Sequence, residues 1–329
     1  MKKHKICKIL LVILAIFLCV AFYELLGICV AYKKQPEVSN TTKKETKNGS
    51  WNECSENTER AVIIEKNPEA LLQRVRLIKN AKKEIILSTF AFQSDESGKL
   101  ILGALHDAAD RGVHIRLLVD GMESWIDMEG NPYFYGLSSH ENVEIKLYNK
   151  ANPLKPWKMM GRMHDKYLIA DGKRYILGGR NTYNYFLGDF PGHKNYDRDV
   201  LVVCDEPEKE NSVNQLLEYF ETIWEQEDSG YFHNNKKLAN RKSVKNAVLE
   251  LQNGYQKYFE ENKERICDTD YTDETFETEK IALVSNPIHT GPKEPVVWYQ
   301  LGELMKNAKE RVKIHTPYII CNDKMYNTC

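Results

Sequence analysis

The 329-residue sequence lacks the clusters of residues that bind metals or cofactors. Its eight cysteines include no CxxC pair, and none has a histidine or a second cysteine at the spacing of zinc ligands. We therefore predict no metal site and no cofactor. Outside the N-terminal segment, Cys54 and Cys267 are the one pair considered for a disulfide, and free thiols are the alternative.

The sequence also lacks an excess of charge of either sign. Lysine and arginine total 46, aspartate and glutamate total 47, and the net charge is -1 at pH 7. Proteins that bind the nucleic-acid backbone present a basic face, so we expect no specific nucleic-acid partner. The hydrophobic fraction of 42% is enough to fill the cores of one large domain or two ordinary ones.

An apolar run at residues 9–32 contains one charged residue, Glu24. Its length suits a helix that crosses the roughly 30 Å hydrocarbon layer of a membrane. A cleavable signal peptide is the alternative, but its apolar region is about 7 to 15 residues long and ends at a small-x-small site. We predict an uncleaved single-pass membrane anchor at residues 1–34. The lysine-rich tail before the run favours a cytoplasmic N-terminus and a main domain outside the cytoplasm.

After the anchor, the pattern predicts a linker and then a layered domain. Residues 35–60 are polar and rich in turn formers, as in a linker. Beyond them, short β-rich runs alternate with helical stretches, which indicates an α/β domain with a mixed central sheet flanked by helices. Strands are predicted at residues 84–92, 114–120, 143–148, 164–170, 174–178 and 199–204. The first domain is assigned to residues 61–228, including a helix at about 210–227, and a helical connection to residues 229–279.

An internal sequence repeat suggests that a second copy of this unit begins near the C-terminus. NAKKEIILSTFAF at residues 80–92 aligns with NAKERVKIHTPYI at residues 307–319. A helix followed by a strand therefore recurs, and residues 280–329 are predicted to hold a partial second domain with an exposed strand edge near 311–320. The alternative is two unrelated helices, each leading into a strand.

The segment HDKYLIADGKRYILGGRN at residues 164–181 carries the predicted chemistry. In an extended strand His164 and Lys166 project to the same side. An imidazole near an ammonium suits attack on a phosphodiester, because the ammonium neutralises charge that grows on the phosphoryl oxygens. A turn then sends a second strand back towards His164. It ends in Gly178–Gly179, which permit close backbone approach to a ligand, and in Asn181, which can donate to a phosphate oxygen.

This spacing, H-x-K-x4-D followed by GGxN, resembles the motif of the phospholipase D superfamily. The matching residues are His164, Lys166, Asp171, Gly178, Gly179 and Asn181. Gly179, where many members have serine, and the pair Arg198–Asp199 ahead of a hydrophobic strand are similar to the cardiolipin synthase-like branch. The resemblance covers about residues 60–329 and implies a phospholipase D-like domain.

The resemblance also implies roles for these residues. His164 would form a phosphohistidine, Lys166, Gly179 and Asn181 would bind the phosphate, and Asp199 would orient the imidazole. Asp171 would be mainly structural, and no metal or cofactor is needed. The implied substrates are a membrane phospholipid similar to phosphatidylglycerol and an alcohol or water acceptor. Taken singly, each residue has an ordinary interpretation, such as a buried strand histidine, a surface lysine or an ion-paired aspartate.

Members of the family use two motif copies, in which one histidine attacks and the other protonates the leaving alcohol. These 329 residues contain one copy. Two explanations stay open: the chain is part of a longer protein and inactive or weakly active alone, which the partial second copy favours, or two chains pair as a homodimer.

Other functions are considered beside phosphatidyl transfer. A phospholipase D-superfamily nuclease is one alternative, and a membrane protein that binds phosphate headgroups without catalysis is another. Residues 150–162, KANPLKPWKMMGR, mix lysines with Trp157 and two methionines. This loop suits contact with a lipid interface, although an ordinary solvated loop would have the same composition.

Overall fold

The computed structural model of the chain describes residues 2–49, 59–207, 211–233, 235–314, 316 and 326. The chain divides into two compact units. The sheet unit comprises residues 54–151 and 162–281, and the helix unit comprises residues 1–53, 152–161 and 282–329.

All strands of the described residues lie in the sheet unit and form one nine-stranded mixed sheet, in the order β8-β4-β3-β2-β5-β6-β7-β1-β9. The strands are β1 (Arg60–Ile64), β2 (Glu84–Thr89), β3 (His114–Asp120), β4 (Val143–Tyr148), β5 (Tyr167–Ala170), β6 (Arg174–Gly178), β7 (Asp199–Val203), β8 (Ser229–Tyr231) and β9 (Phe276–Glu277). The pairs β2–β3 and β3–β4 are parallel and the others antiparallel. The predicted mixed α/β architecture is therefore confirmed.

Ten helices occur within the described residues: α1 (Lys2–Tyr32), α2 (Asn40–Asn48), α3 (Asn67–Asn80), α4 (Glu96–Asp110), α5 (Glu123–Asp127), α6 (Pro132–Ser138), α7 (Ser212–Trp224), α8 (Lys242–Glu261), α9 (Lys263–Cys267) and α10 (Val296–Asn307). Helix α4 shows how local sequence sets their limits. The Asp95 side chain caps its first turn by accepting from the Gly98 backbone N–H. Gly112, with φ of 87°, follows its end.

The central strands are continuous apolar runs because helices cover both faces of the sheet. Leu117, Leu118 and Val119 of β3 are all fully buried, which is typical of a parallel strand inside an α/β sheet. Helix α8 adds Leu251, Tyr255 and Phe259 to the same core.

Residues 229–279, which we expected to connect two domains, belong to the sheet unit in the structure. They contribute β8 and β9 at the two sheet edges, and α8 and α9 to the layers. The physical reason is the amphipathic pattern of α8. Its apolar side chains recur at every fourth residue and are buried against the core.

Three predicted strands, at residues 114–120, 143–148 and 174–178, have the observed bounds, β2 ends three residues earlier than predicted, and β7 ends one residue earlier. The strand predicted from residue 164 begins at Tyr167 instead. Strands β1, β8 and β9 were not predicted. Helix α2, capped by the Ser39 side chain, lies within the predicted linker. Residues 50–58 of that linker, with Cys54, lie outside the described residues.

Helix α1 of the helix unit is long and apolar enough to cross a membrane. The qualifying segment, Lys5–Tyr32, has a mean hydropathy of 2.9 over its most apolar window. Helix α10 occupies the position of the helix predicted from the internal sequence repeat. In the strand predicted after it, residues 311–314 have no regular structure and residues 317–320 lie outside the described residues.

Candidate active site

The predicted site lies at the carboxyl ends of the central strands β2 and β3, which end side by side. Because these strands are parallel, their carboxyl ends lie on the same side of the sheet. Phe90 follows β2, Asp120 ends β3, and residues 162–166 lead into β5 beside β2. Crevices at the carboxyl ends of strands are common ligand sites in α/β proteins.

The imidazole of His164 is exposed at these strand ends. The ring packs against the Phe90 ring, with centroids 4.7 Å apart and planes tilted by 58°. The pKa of His164 is lowered from 6.5, first by the burial of the packed face and then by the Lys166 ammonium, while Asp165 and Asp120 oppose the shift. A neutral imidazole therefore predominates at neutral pH, which is the form able to act as a nucleophile.

Lys166 is buried beside His164, with 5% of its surface exposed. Its Nζ donates to the His164 carbonyl oxygen at 2.7 Å and lies 5.4 Å from the centroid of the Phe90 ring. Burial lowers the pKa of Lys166 from 10.5 to about 8, against the opposing effect of Asp165 and Asp197. The group is still mainly an ammonium at pH 7. A buried cation whose charge is incompletely balanced is suited to bind an anion.

Asn181 reaches the same segment from the end of the β6 strand. It is 7% exposed, and its Oδ1 accepts from the backbone N–H of Ala91 at 3.3 Å. Asn181 also partly offsets the rise in the pKa of Tyr183 that burial causes. His164, Lys166 and Asn181 are thus brought together around Phe90 and Ala91, a segment that the sequence analysis did not single out.

The structure corrects the reason for which His164 and Lys166 come together. They precede β5 and do not share a strand face. The chain just before them is instead held by Asp120, which is fully buried. The Asp120 carboxylate accepts from Arg162 Nε at 3.0 and 3.1 Å, from Arg162 Nη2, and from the Met163 backbone N–H at 3.0 Å.

A second contact holds the chain between the two motif residues. The Tyr219 hydroxyl donates to Asp165 Oδ2 at 2.8 Å. Asp120 and Tyr219 therefore anchor the residues on either side of His164. Asp120 was missed from the sequence, although a carboxylate at the carboxyl end of an apolar strand is a signal for such a position.

Asp171 lies at the other end of β5, in the turn before β6, with φ of 54°. Its carboxylate accepts from the backbone N–H groups of Lys82 at 2.8 Å, Lys83 at 2.7 Å and Glu84 at 3.0 Å. These bonds fasten the turn to the start of β2. The structural role that the resemblance implies for Asp171 has this physical basis.

Asp199 is buried in an ion-pair cluster. Its Oδ2 lies 2.9 Å from Arg74 Nη1 and 3.2 Å from Arg180 Nη1. Burial lowers the pKa of Arg180, and Asp199 opposes that shift. Among the described residues, Asp199 Oδ1 has no hydrogen-bond partner and no hydrogen bond links Asp199 to His164. Its role in orienting the imidazole stays a prediction.

The glycine pair packs closely against neighbouring carboxylates, and its expected backbone approach to a ligand stays a prediction. A Cβ on Gly178 would lie 2.0 Å from Asp199 Oδ1 and 2.5 Å from the Arg198 carbonyl oxygen, and a Cβ on Gly179 would lie 2.1 Å from Asp197 Oδ2. Both glycines therefore make room for neighbouring carboxylates. The Gly179 N–H points to the Arg198 carbonyl oxygen at 3.4 Å, and phosphate binding by Gly179 stays a prediction.

Known proteins are similar in sequence to the part of the chain that carries the motif. Residues 74–224, which contain the whole motif, match the family described as "Cardiolipin synthase, PLD-like domain". Cardiolipin synthase C of Escherichia coli (strain K12) is 29% identical over 171 residues, which cover 48% of this chain and 34% of that protein. Residues 74–224 therefore form a domain of the phospholipase D superfamily. Within the superfamily, the match places it in the cardiolipin synthase-like branch.

Two further similarities concern length and fold. An uncharacterized protein of Helicobacter pylori (strain ATCC 700392 / 26695) is 29% identical over 293 residues, 80% of this chain and 55% of that protein. The chain therefore spans about half the length of this relative. The structure of NucT from Helicobacter pylori is similar with a TM-score of 0.42 and 16% identity, covering 53% of this chain and 99% of NucT.

In the part of the chain that the structure describes, no group of three or more His, Cys, Asp or Glu side chains is arranged to hold a metal ion. The groups that meet at the site are an imidazole, an ammonium and a carboxamide. Together they can supply a nucleophile and two donors to phosphoryl oxygens.

Proposed function

We propose that this member of the phospholipase D superfamily is a phosphodiesterase acting on membrane phospholipids through a phosphohistidine on His164. The donor lipid would resemble phosphatidylglycerol, and the acceptor would be an alcohol or water. The observation that carries the proposal is the convergence of His164, Lys166 and Asn181 on the Phe90–Ala91 segment.

The groups present support a two-step displacement. In the first step, the neutral imidazole of His164 attacks phosphorus, a P–N bond forms, and the bond from phosphorus to the leaving alkoxide oxygen breaks as an acid protonates it. In the second step, the conjugate base of that acid takes the proton of the acceptor hydroxyl, the acceptor oxygen attacks phosphorus, and the P–N bond breaks to restore the imidazole. Lys166 and Asn181 would neutralise and hold the non-bridging oxygens in both steps.

The acid for the leaving alcohol is assigned to a second motif copy. One H-x-K motif occurs in these 329 residues. A second copy would come from further chain or from a partner chain in a homodimer. If a partner chain supplies the second copy, turnover should rise with the fraction of chains in homodimers. The turnover assay is therefore run over a range of chain concentrations.

A lipid substrate is supported by the candidate membrane helix and by the family match. Helix α1 would hold the chain at a bilayer. We propose a single-pass anchor with the sheet unit outside the cytoplasm, an orientation that rests on the lysines before α1.

The test uses the full chain in vesicles of phosphatidylglycerol. Reactions are stopped in denaturant at neutral pH, because phosphohistidine is labile in acid and the acyl esters are labile in alkali, and the peptide containing His164 is examined by mass spectrometry for a phosphatidyl adduct. We expect the adduct and lipid turnover in the wild type, and neither in His164→Asn. His114→Asn is the matched control, because His114 lies at the start of β3, at the opposite end of that strand from the site. We expect this variant to keep both the adduct and the turnover.

Turnover by the His164→Asn chain would overturn the proposal. Cleavage of plasmid DNA without lipid turnover would replace the lipid substrate by nucleic acid and support the nuclease alternative. Binding of phosphatidylglycerol without any adduct or turnover at every chain concentration would support headgroup binding without catalysis.

A further inference from the structure

The loop at residues 152–161, here named the Trp157 loop, packs on helix α1 within the helix unit. The Tyr23 hydroxyl donates to the Leu154 carbonyl oxygen at 3.1 Å. Pro156 lies so close to Gly27 that a Cβ added at residue 27 would be 2.5 Å from the proline Cγ. Glycine in an apolar helix lets another segment approach its backbone in this way. Gly27 is therefore the point where the loop sits on the helix.

The contact covers one face of the last turns of α1. Partly buried positions recur at Ala21, Glu24, Gly27 and Ala31, a spacing of three to four residues. Other apolar side chains of this segment stay exposed, including Leu25 and Val30. A helix that is apolar all round but covered along one stripe has its other faces available to lipid.

Between the loop and the helix lies an apolar groove of about 410 Å³. Its lining residues are Tyr23, Leu26, Gly27, Val30, Ala31 and Trp157. The groove is open along one side, and Trp157 keeps 45% of its surface exposed. Aromatic side chains are enriched where a membrane meets water.

Lysines lie close to the groove residues in the sequence. Lys155 of the Trp157 loop is exposed, and so are Lys33 and Lys34, which follow α1. An apolar groove beside lysines is complementary to an anionic phospholipid, because the acyl chain requires an apolar surface and the phosphate requires positive charge.

We infer that the Trp157 loop and the last turns of α1 form a seat for an anionic phospholipid, with an acyl chain in the groove and the phosphate at the lysines. His164 follows the loop by three residues in the sequence. The inference deepens the proposed function, and it rests on that function only for what happens to the lipid afterwards.

The seat is tested by photo-cross-linking of the full chain in bilayers. p-Benzoyl-L-phenylalanine replaces Trp157 in one chain and Trp125, an exposed tryptophan of α5 in the sheet unit, in a second. Lipid adducts are measured by mass spectrometry in phosphatidylglycerol and in phosphatidylcholine. We expect adducts at residue 157 several-fold above those at residue 125, with phosphatidylglycerol favoured. Equal yields at the two positions, or equal yields with the two lipids, would overturn the seat.

Two substitutions separate the groove from the charge. Gly27→Leu places a side chain against Pro156 and should reduce the adduct yield at residue 157 several-fold, whereas Cys29→Leu, on an exposed position of the same helix, should not. Lys155→Gln leaves α1 intact and should reduce the preference for phosphatidylglycerol by about fivefold at low salt. Unchanged yield in Gly27→Leu, or unchanged preference in Lys155→Gln, contradicts the inference.

The same measurement distinguishes this inference from the proposed function. The His164→Asn chain should cross-link to lipid as the wild type does, because the seat does not use the imidazole. Loss of turnover with normal cross-linking concerns catalysis alone, and turnover with no adduct at residue 157 refutes the seat alone.

Discussion

Replacement of Lys166 by methionine should stabilise the protein while it abolishes the proposed activity. The lysine is buried, and burial is the main cause of its lowered pKa. Methionine has a similar length and no charge to bury. The site therefore holds a cation at the expense of stability, as functional sites often do.

The size of the effect follows from the pKa. A fall from 10.5 to about 8 disfavours the charged form by about 3 kcal/mol at neutral pH. Methionine also loses the hydrogen bond that Nζ donates to the His164 carbonyl oxygen, which offsets about 1 kcal/mol. We expect Lys166→Met to raise the free energy of unfolding by about 2 kcal/mol at pH 7.

The pH dependence gives a second, independent check. The folded pKa lies below the unfolded one, so the unfolded chain binds more protons between about pH 8 and 10.5. The penalty is thus fully present below pH 8 and is relieved as the pH rises towards 10.5. The advantage of Lys166→Met over the wild type should shrink across this interval.

Urea unfolding of the full chain in detergent measures both effects, with the buried Trp224 as a fluorescent reporter of the sheet unit. Lys173→Met is the matched control, because Lys173 is exposed in the turn before β6 and should change stability by less than about 0.5 kcal/mol. A Lys166→Met protein that is less stable than the wild type, or a difference that does not vary between pH 8 and 10.5, would refute the reasoning.

Three further predictions concern the surroundings of the site. Asp199→Asn leaves two buried arginines without their carboxylate and should lower the free energy of unfolding by about 3 to 5 kcal/mol; a loss of activity with unchanged denaturation would assign the residue to catalysis instead. Gly178→Ala should destabilise more than Gly179→Ala, because its Cβ meets the backbone as well as a carboxylate; urea midpoints in the reverse order would contradict this. Asp120→Asn should lower the pKa of His164 further, measured by the pH dependence of its carbethoxylation rate, and an unshifted midpoint would count against Asp120.

Local patterns were sufficient for much of the fold. The β-rich runs at 114–120 and 143–148 predicted strands with the observed bounds, and the helical stretch between residues 100 and 112 predicted most of α4. These signals are read from neighbouring residues, because strand and helix periodicities repeat within a few positions. The short strands β1, β8 and β9 escaped detection, since their pairing partners are distant in the sequence.

The sequence by itself determined that the chain carries an H-x-K-x4-D and GGxN motif, an apolar helix and an α/β sheet. Only the tertiary structure decided that Phe90 and Ala91 meet the motif residues, that Asp120 holds the chain before His164, and that Asp199 is bound by two arginines. The physical reason is that spacing records contacts along one strand or turn. Burial, and with it the lowered pKa of the motif lysine, depends on residues that the fold brings from elsewhere in the chain.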